Sequence, residues 1–226
     1  MSTLAIFDLD NTLLEGDSDY AWGVFIADRG LVDSQEHQAK NQYFYEQYEA
    51  GTLDIHEYHE FVFEPLKALS RAELNTLLDE FVSSVIHNMV RPKAKACVDE
   101  HRAAGHTTLI ITATNSLVTS PIAPLFGVDA LMATDPEYNN GALTGKIAGT
   151  PCFQTGKIDR LLAWINEKGA GDASCMDSAY FYSDSMNDEP LLSKVGNPRV
   201  VTPDERLRRH AETAGWPIMD FSLAQD

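Results

Sequence analysis

Leu4-Ala5-Ile6-Phe7-Asp8-Leu9-Asp10-Asn11-Thr12 decides the reading of this chain. A short apolar run of this kind reads as a buried strand, here residues 3–9. The run closes on two carboxylates one residue apart, followed by a hydroxyl. In an open α/β sheet, ligands gather beyond the carboxyl ends of the strands. Two acids crowded at that place repel each other and invite a cation or a shared proton. Taken alone, the stretch is equally a strand ending in a polar turn. The remainder of the chain tests the sharper reading.

Downstream, Asp17 to about His87 reads as helical and holds no convincing strand. Trp22, Phe25 and Ile26, then Leu74, Leu77, Leu78, Phe81, Val82 and Val85, recur at helical spacing. Pro65 divides this block, because proline breaks a helix interior. Pro92 opens another helix, and Gly105 is suited to stop it. From there strands and helices alternate. Thr107–Ala113 and Ala130–Thr134 read as strands, and Asn139-Asn140-Gly141 predicts a hairpin turn before a strand over Ala142–Ile147. Ile158–Ile165 reads as a helix, with short strands over Ala179–Tyr182 and Arg199–Thr202. Alternation of this kind predicts an α/β fold, a Rossmann-like, mostly parallel sheet with helices on both faces. The expected organisation is a core from residues 1–14 and 92–226, with an all-helical insertion over 15–91.

The chain has 226 residues, 44% of them hydrophobic, enough for one core with an appended subdomain. Its formal net charge of −17 argues against nucleic acid, whose binding needs Lys and Arg against phosphates. The same balance argues against an anionic membrane surface, and no apolar stretch of about 18 residues suggests a span. No secretion leader is expected, and the odd cysteines Cys97, Cys152 and Cys175 fit reduced thiols, so a cytoplasmic location is expected. A small phosphorylated metabolite remains compatible, since a bound cation and one lysine reverse the local field.

Four polar clusters stand at predicted strand ends or helix starts: Asp8, Asp10 and Thr12; Thr112, Thr114 and Asn115; Gly156 and Lys157; and Ser183 through Asp188. Each has an ordinary explanation. Thr112 is a common strand residue, and Asp188 or Asn187 suits a helix cap. Lys157 is the odd one, because a cation in the first turn of a helix opposes the helix dipole. Together the four are hard to dismiss.

In this order and spacing, Asp8-Leu9-Asp10-Asn11-Thr12, Thr112, Lys157, and Asp184 with Asp188 resemble the four motifs of the haloacid dehalogenase superfamily of phosphohydrolases. The helical insertion resembles the cap of its phosphoserine-phosphatase-like branch. The resemblance implies a phosphatase acting through an aspartyl-phosphate, with carboxylate covalent catalysis by Asp8 and acid–base catalysis by Asp10. It implies Mg²⁺, a hard cation suited to oxygen ligands, held by Asp8, the backbone carbonyl of Asp10, and Asp184. Asp188 would orient Lys157 or a metal-bound water. Thr112 would bind a phosphoryl oxygen, with backbone N–H groups near Thr114 and Asn115, Asn187 would also contact substrate, and Lys157 would offset the charge of nucleophile and phosphoryl group.

The acid nine positions after the nucleophile contacts the substrate amine in that branch, and here it is Asp17, one methylene shorter than the usual Glu. An acidic contact suits an amino-bearing ester such as phosphoserine or histidinol phosphate, although Asp17 equally suits a helix cap. A free amino acid phosphate also needs a cation for its carboxylate, for which Arg29 and Arg71 are candidates. Thr112-Ala113-Thr114-Asn115 departs from the Ser-Gly-Gly of phosphoserine phosphatases, and the chain is more similar to a sister group some of whose members are labelled histidinol phosphatases. His56-Glu57-Tyr58-His59-Glu60 has its histidines three apart, not four, and reads as a solvated helix face rather than a metal motif. Tyr43, Phe44, Tyr45 and Tyr48 read as packing of the insertion, or in part as lining of a substrate cleft. A phosphotransferase using the same intermediate and a non-catalytic phosphate-binding protein are the competing readings.

Overall fold

The computed structural model describes residues 2–168 and 173–223. Strand β1 (Leu4–Phe7) lies at the centre of a six-stranded sheet. It pairs in parallel with β2 (Thr107–Asn115) on one side. On the other it pairs in parallel with β6 (Tyr180–Ser183). With β3 (Ala130–Thr134), β7 (Asn197–Val201) and β8 (Ile218–Met219), the order is β3-β2-β1-β6-β7-β8. The chain builds outward from β1 to β3, then returns beside β1 to build the other way. That reversal creates a crevice beyond the carboxyl ends of β1 and β6, where an open parallel sheet binds its ligand.

Alternation along β1 explains why the sheet is covered on both faces. Ala5 and Phe7 join one core cluster with Trp22, Phe63 and Phe81. Leu4 and Ile6 join the other with Leu161, Ile165 and Leu207. Each such fully buried large apolar side chain contributes roughly 1.5–3 kcal/mol.

Between β1 and β2 the chain forms α1 (Ser18–Asp28), α2 (Ser34–Ala50), α3 (Ile55–Phe63), α4 (Arg71–Phe81) and the short α5 (His87–Met89). Asp17, Asp33, Asp54 and Ser70 accept backbone N–H groups as caps of the first four, satisfying donors that a helix start leaves free. Pro65 falls in a 3₁₀ turn over Glu64–Ala68, as its missing N–H predicts. A π-helical turn over Val82–Ile86 interrupts the pattern, which the periodicity did not signal. The segment leaves and rejoins the sheet through a paired crossing: Glu15 N donates to Met89 O at 2.6 Å, and Arg91 N to Leu13 O at 3.1 Å. Buried Arg91 locks that crossing through Glu15, 2.7 Å away.

Helix α6 (Pro92–Ala103) leads into β2, and α7 (Ser116–Thr119) follows it. The hairpin forms as predicted at Asn140 and Gly141, both with positive φ (50° and 82°), as a type I′ turn needs. It joins β4 (Pro136–Asn139) to β5 (Ala142–Ile147) in a separate ribbon, and β5 packs against α3 instead of entering the main sheet. Helix α8 (Thr155–Lys168) is longer than its apolar core over 158–165 suggests. The short α9 (Glu189–Leu192) and α10 (Glu205–Ala214) complete the set. The first strand ends at Phe7 rather than residue 9, because Leu13 N and Leu14 N turn back to Leu9 O. Likewise β7 stops at Val201, where Thr202 takes a φ of 40°. The two-residue β8 was too short to carry a pattern. No helix among the described residues is long and apolar enough to cross a membrane.

Candidate active site

Asp8 follows β1 directly and is 2% exposed. Lys157 reaches it from the first turn of α8, with Nζ 2.8 Å from Asp8 Oδ1. The same ammonium donates to Asp188 at 2.7 Å. Ser183 Oγ, at the end of β6, donates to Asp188 Oδ2 at 2.7 Å and fixes that carboxylate. Two anions therefore face one buried cation. Burial disfavours the charge on Lys157, but Asp188 and Asp8 outweigh it and hold the ammonium above its ordinary pKa. This answers why a lysine sits where the helix dipole opposes it. Gly156 permits the approach of α8: a Cβ there would stand 2.1 Å from Pro151 O.

Asp10 occupies a different environment two residues on. Its Oδ1 accepts Ser18 N, at the start of α1, at 2.6 Å. Its Oδ2 accepts the Thr114 hydroxyl at 2.7 Å, and Thr112 Oγ1 lies 3.5 Å away. Burial raises the Asp10 carboxyl above its ordinary pKa, against the pull of these hydrogen bonds. Asp8 is pushed up to about 8, by burial first, with Lys157 opposing and Asp188 and Asp10 adding.

Asp184, one residue past β6, accepts the Thr12 hydroxyl at 2.9 Å. Burial, and then the Asp8 charge, hold its carboxyl well above the ordinary range. Asp204, from the start of α10, sets this loop: its N–H donates to Asp184 O, and its carboxylate accepts Met186 N, both at 2.9 Å. No cluster of three or more acidic, histidine or cysteine side chains stands ready for a metal among the described residues. The donor chemistry nevertheless fits Mg²⁺, which takes one or two carboxylates and leaves other positions to water and substrate phosphate. Asp8 and Asp184 are two such carboxylates, buried together, and the Asp8 charge adds to the rise at Asp184.

The helical segment roofs these groups. A cavity bounded below by Asp8, Asp10, Thr112 and Thr114 is bounded above by Asp17, Asp19, Tyr20, Tyr45, Tyr48 and Tyr58. Its unfilled volume is about 30 Å³, near one water's share of liquid volume. Asp17 fills both roles that its position allowed. It caps α1 through Tyr20 N at 2.7 Å and also lines the cavity. Burial and the Asp10 charge push its carboxyl up to about 7.

Several expectations need correction. The Asn115 side chain does not serve the cavity: it donates to Asp19 Oδ1 at 2.9 Å and accepts Val118 N at 3.1 Å. Asn187 points to the roof, donating to Tyr48 O at 2.9 Å. Neither Arg29 nor Arg71 enters the cavity. Arg29 pairs with Glu80 over the Phe25 ring, and Arg71 lines grooves beside the β4–β5 ribbon. His59 is fully buried rather than solvated, bonded to Ile55 O, and burial pushes its pKa down to about 4. Of the aromatic run, Phe44, Tyr45 and Tyr48 line the cavity, whereas Tyr43 is exposed. Sequence reasoning does not single out Ser18, Asp19, Tyr58 or Asp204, and it names Ser183 only as a member of the fourth cluster, without a role. The acid spacing Asp17-Ser18-Asp19 was the available signal for one of them.

A family model of haloacid dehalogenase-like hydrolases matches residues 5–193. A histidinol-phosphatase from Neisseria meningitidis serogroup C is 41% identical over 222 residues, which cover 98% of this chain and all of the relative. A solved structure of a Bordetella pertussis Tohama I protein of unknown function is 41% identical with a TM-score of 0.89, covering 98% of this chain and 100% of that one. A substrate-bound phosphoserine phosphatase shares the fold alone, with a TM-score of 0.70 at 15% identity, over 98% of this chain and 94% of that one. The chain belongs to the haloacid dehalogenase-like hydrolase family, as a phosphatase of that family.

Proposed function

We propose, from that family membership and this geometry, that the chain hydrolyses a small phosphomonoester with Mg²⁺ through an aspartyl-phosphate on Asp8. The observation that carries the reading is the division of labour between two acids. Asp8 is ion-paired with Lys157 at 2.8 Å, while Asp10 lies in a separate cradle of Ser18 N and Thr114 Oγ1. A nucleophile must be ionised and a general acid must hold a proton, so one crevice needs two environments.

In the first half-reaction an Asp8 carboxylate oxygen forms a bond to phosphorus as the ester P–O bond breaks. Asp10, whose burial favours its protonated form, gives its proton to the leaving alcohol oxygen. In the second, Asp10 takes a proton from water, whose oxygen attacks phosphorus and frees Asp8 and inorganic phosphate. Lys157 offsets the charge of the approaching anions. Thr112, at the carboxyl end of β2, offers its hydroxyl to a phosphoryl oxygen. Asp8, Asp184 and the Asp10 backbone carbonyl would hold Mg²⁺, which when bound would supply positive charge favouring ionised carboxylates and an anionic phosphoryl group. Asp188 and Ser183 position Lys157.

Residues 15–91 act as a cap, hinged at the paired crossing of Leu13–Glu15 with Met89–Arg91. A ligand pocket ordinarily measures about 300–1,000 Å³, so the cavity, with about 30 Å³ free, represents the cap closed. Substrate binding requires it to swing open. Histidinol phosphate is the favoured substrate, because the full-length 41% identical relative is a histidinol-phosphatase. The roof of the cavity also carries two acids, Asp17 and Asp19, and its lining has no lysine or arginine. A phosphoserine carboxylate would find no cationic partner in it.

The test is a panel of histidinol phosphate, phosphoserine, sugar phosphates, nucleotides and 4-nitrophenyl phosphate, assayed with Mg²⁺ and with chelator. Mg²⁺-dependent phosphate release, fastest from histidinol phosphate, is expected. Turnover that survives in Asp8→Asn would refute the nucleophile assignment. Phosphate transfer only in the presence of an alcohol acceptor would favour a phosphotransferase.

A further inference from the structure

Four buried side-chain atoms lack a hydrogen-bond partner among the described residues: Ser18 Oγ, Asp19 Oδ2, Trp22 Nε1 and His59 Nε2. Of these four residues, Asp19 alone lines the cavity. Its side chain is otherwise held with care. Asn115 Nδ2, from the end of β2, donates to Oδ1 at 2.9 Å, and Asn115 itself is pinned by Val118 N. The Tyr58 hydroxyl, from α3, also interacts with the carboxylate, and burial, with Asp17 and Asp10 nearby, holds the Asp19 carboxyl well above its ordinary range. Asp19 is only 3% exposed. An orphaned carboxylate oxygen in such a place costs stability unless something pairs with it. A purely structural contact with Asn115 would be served as well by an asparagine or serine.

The geometry points to Asp19 as a specificity-determining residue that accepts an N–H from a second nitrogen of the substrate's leaving group. This rests on the phosphatase reading and narrows it. Asp17 and Asp19 sit two positions apart at the start of α1, both on the cavity wall. They form two acceptor sites, and no lysine or arginine answers them from the lining. The matching leaving group is an alcohol bearing two N–H groups, at least one of them cationic, and no carboxylate. An amino alcohol with an imidazole has that pattern. An amino acid does not, because its carboxylate would meet two acids. Tyr20, Tyr45 and Tyr58 supply flat, partly polar walls of the kind that accommodate a heteroaromatic ring.

The test uses Asp19→Asn, which keeps an oxygen for Asn115 Nδ2 but turns an NH₂ toward the cavity. Its first readout is the ratio of kcat/KM for histidinol phosphate to that for 4-nitrophenyl phosphate, which offers no N–H. The ratio should fall about 10- to 100-fold, the worth of a charge-assisted hydrogen bond, mainly through KM for the amino ester. A merely structural role would depress both esters together and leave the ratio unchanged, and that result overturns the assignment. Asp19→Glu should recover part of the ratio. The second readout is calorimetric binding of histidinol, which carries no phosphate, to wild type and variant. Weaker binding to Asp19→Asn sustains the assignment even if the wild type hydrolyses neither ester, in which case only the phosphatase reading falls. Equal binding to both proteins rejects the assignment while leaving phosphatase activity intact.

Discussion

Lys157 Nζ lies 2.8 Å from Asp8 Oδ1, inside the first turn of α8 and almost sealed from solvent. The pair joins a cation in an unfavourable place on a helix to an anion in an unfavourable place in a core. Lys157 is held by Asp188 as well, so the anion depends on the cation more than the cation depends on this one anion. Lys157→Ala should lower kcat by about 10³-fold or more, in the range that removal of a charge-stabilising group costs. It should also destabilise the fold by roughly 3–5 kcal/mol, as breaking a buried pair does. Steady-state kinetics and urea unfolding check the two effects separately.

Asp8→Asn should abolish turnover and yet stabilise the metal-free protein at alkaline pH. The Asp8 carboxyl stands at about 8 in the fold against 3.8 for an ordinary aspartate. The folded state therefore prefers the protonated form. That contribution is fully present below 3.8 and is lost as pH rises to about 8. The substituted amide cannot ionise, so the variant should melt higher than wild type at about pH 8.5 in chelator, with the gap closing toward about pH 4. Added Mg²⁺ should raise the wild-type melting temperature and remove the gap. Scanning calorimetry with and without Mg²⁺ decides it.

His101 makes an opposite pH dependence. Its Nε2 lies 2.8 Å from the Tyr182 hydroxyl and its Nδ1 2.7 Å from His106 Nδ1. Burial, with help from His106 and Arg199, pushes its pKa down to about 4 from 6.5. The fold thus prefers neutral imidazole. Its contribution is complete above pH 6.5 and is lost progressively as pH falls to about 4. The stability difference between wild type and His101→Gln should shrink over that window. Urea titrations at about pH 7 and about pH 5 measure it.

The C-terminal end of α2 is tied to the core by Asn187 Nδ2 on Tyr48 O at 2.9 Å and Arg206 Nη1 on Glu49 O at 3.1 Å. Glu49 O is a carbonyl that the helix end leaves free, while Tyr48 O, which already accepts Gly51 N at 3.0 Å, takes Asn187 as a second donor. Gly51, at a φ of 76°, lets the chain turn away between these two side chains. Losing both hydrogen bonds, each worth about 0.5–1.5 kcal/mol, should shift the cap toward its open form. Asn187→Ala with Arg206→Ala should accordingly increase proteolysis near Gly51 and raise KM about 5- to 50-fold. Limited proteolysis beside initial-rate kinetics would show it, and unchanged cleavage would deny the latch.

Gly156→Ala should be among the most damaging small substitutions. The added Cβ would stand 2.1 Å from a backbone oxygen, so α8 must move and take Lys157 with it. Both stability and kcat should drop, whereas Gly149→Ala, with open space for a Cβ, should tell mainly through its positive φ. Thermal melts and initial rates on the two variants separate the effects.

The positions that meet at the sheet's carboxyl edge were legible because their signals are local. Leu4–Phe7 is a run of apolar residues ending in Asp8 and Asp10, and any such run in a parallel sheet delivers its final side chains to the carboxyl edge. Thr112, Lys157 and Asp184 stood at the ends or starts of elements that periodicity located. Element boundaries were less legible, since a turn back to Leu9 O or a positive φ at Thr202 leaves no hydrophobic pattern. The destinations of amide side chains were not legible at all. Asn115 and Asn187 sat in the right loops, but their partners, Asp19 and Tyr48, are 96 and 139 residues distant.

By itself, then, the sequence determined the order of strands and helices, the placing of a helical segment after β1, and the set of acids and lysine that meet at the sheet's edge. Those follow from spacing along the chain. Only the tertiary structure decided which acid is paired with Lys157 and which is cradled by Ser18 and Thr114. Only it left Asp19 Oδ2 without a partner on the cavity wall and turned Arg29 and Arg71 away. Protonation and specificity depend on burial and on neighbours brought from distant segments, and those are properties of the packed chain.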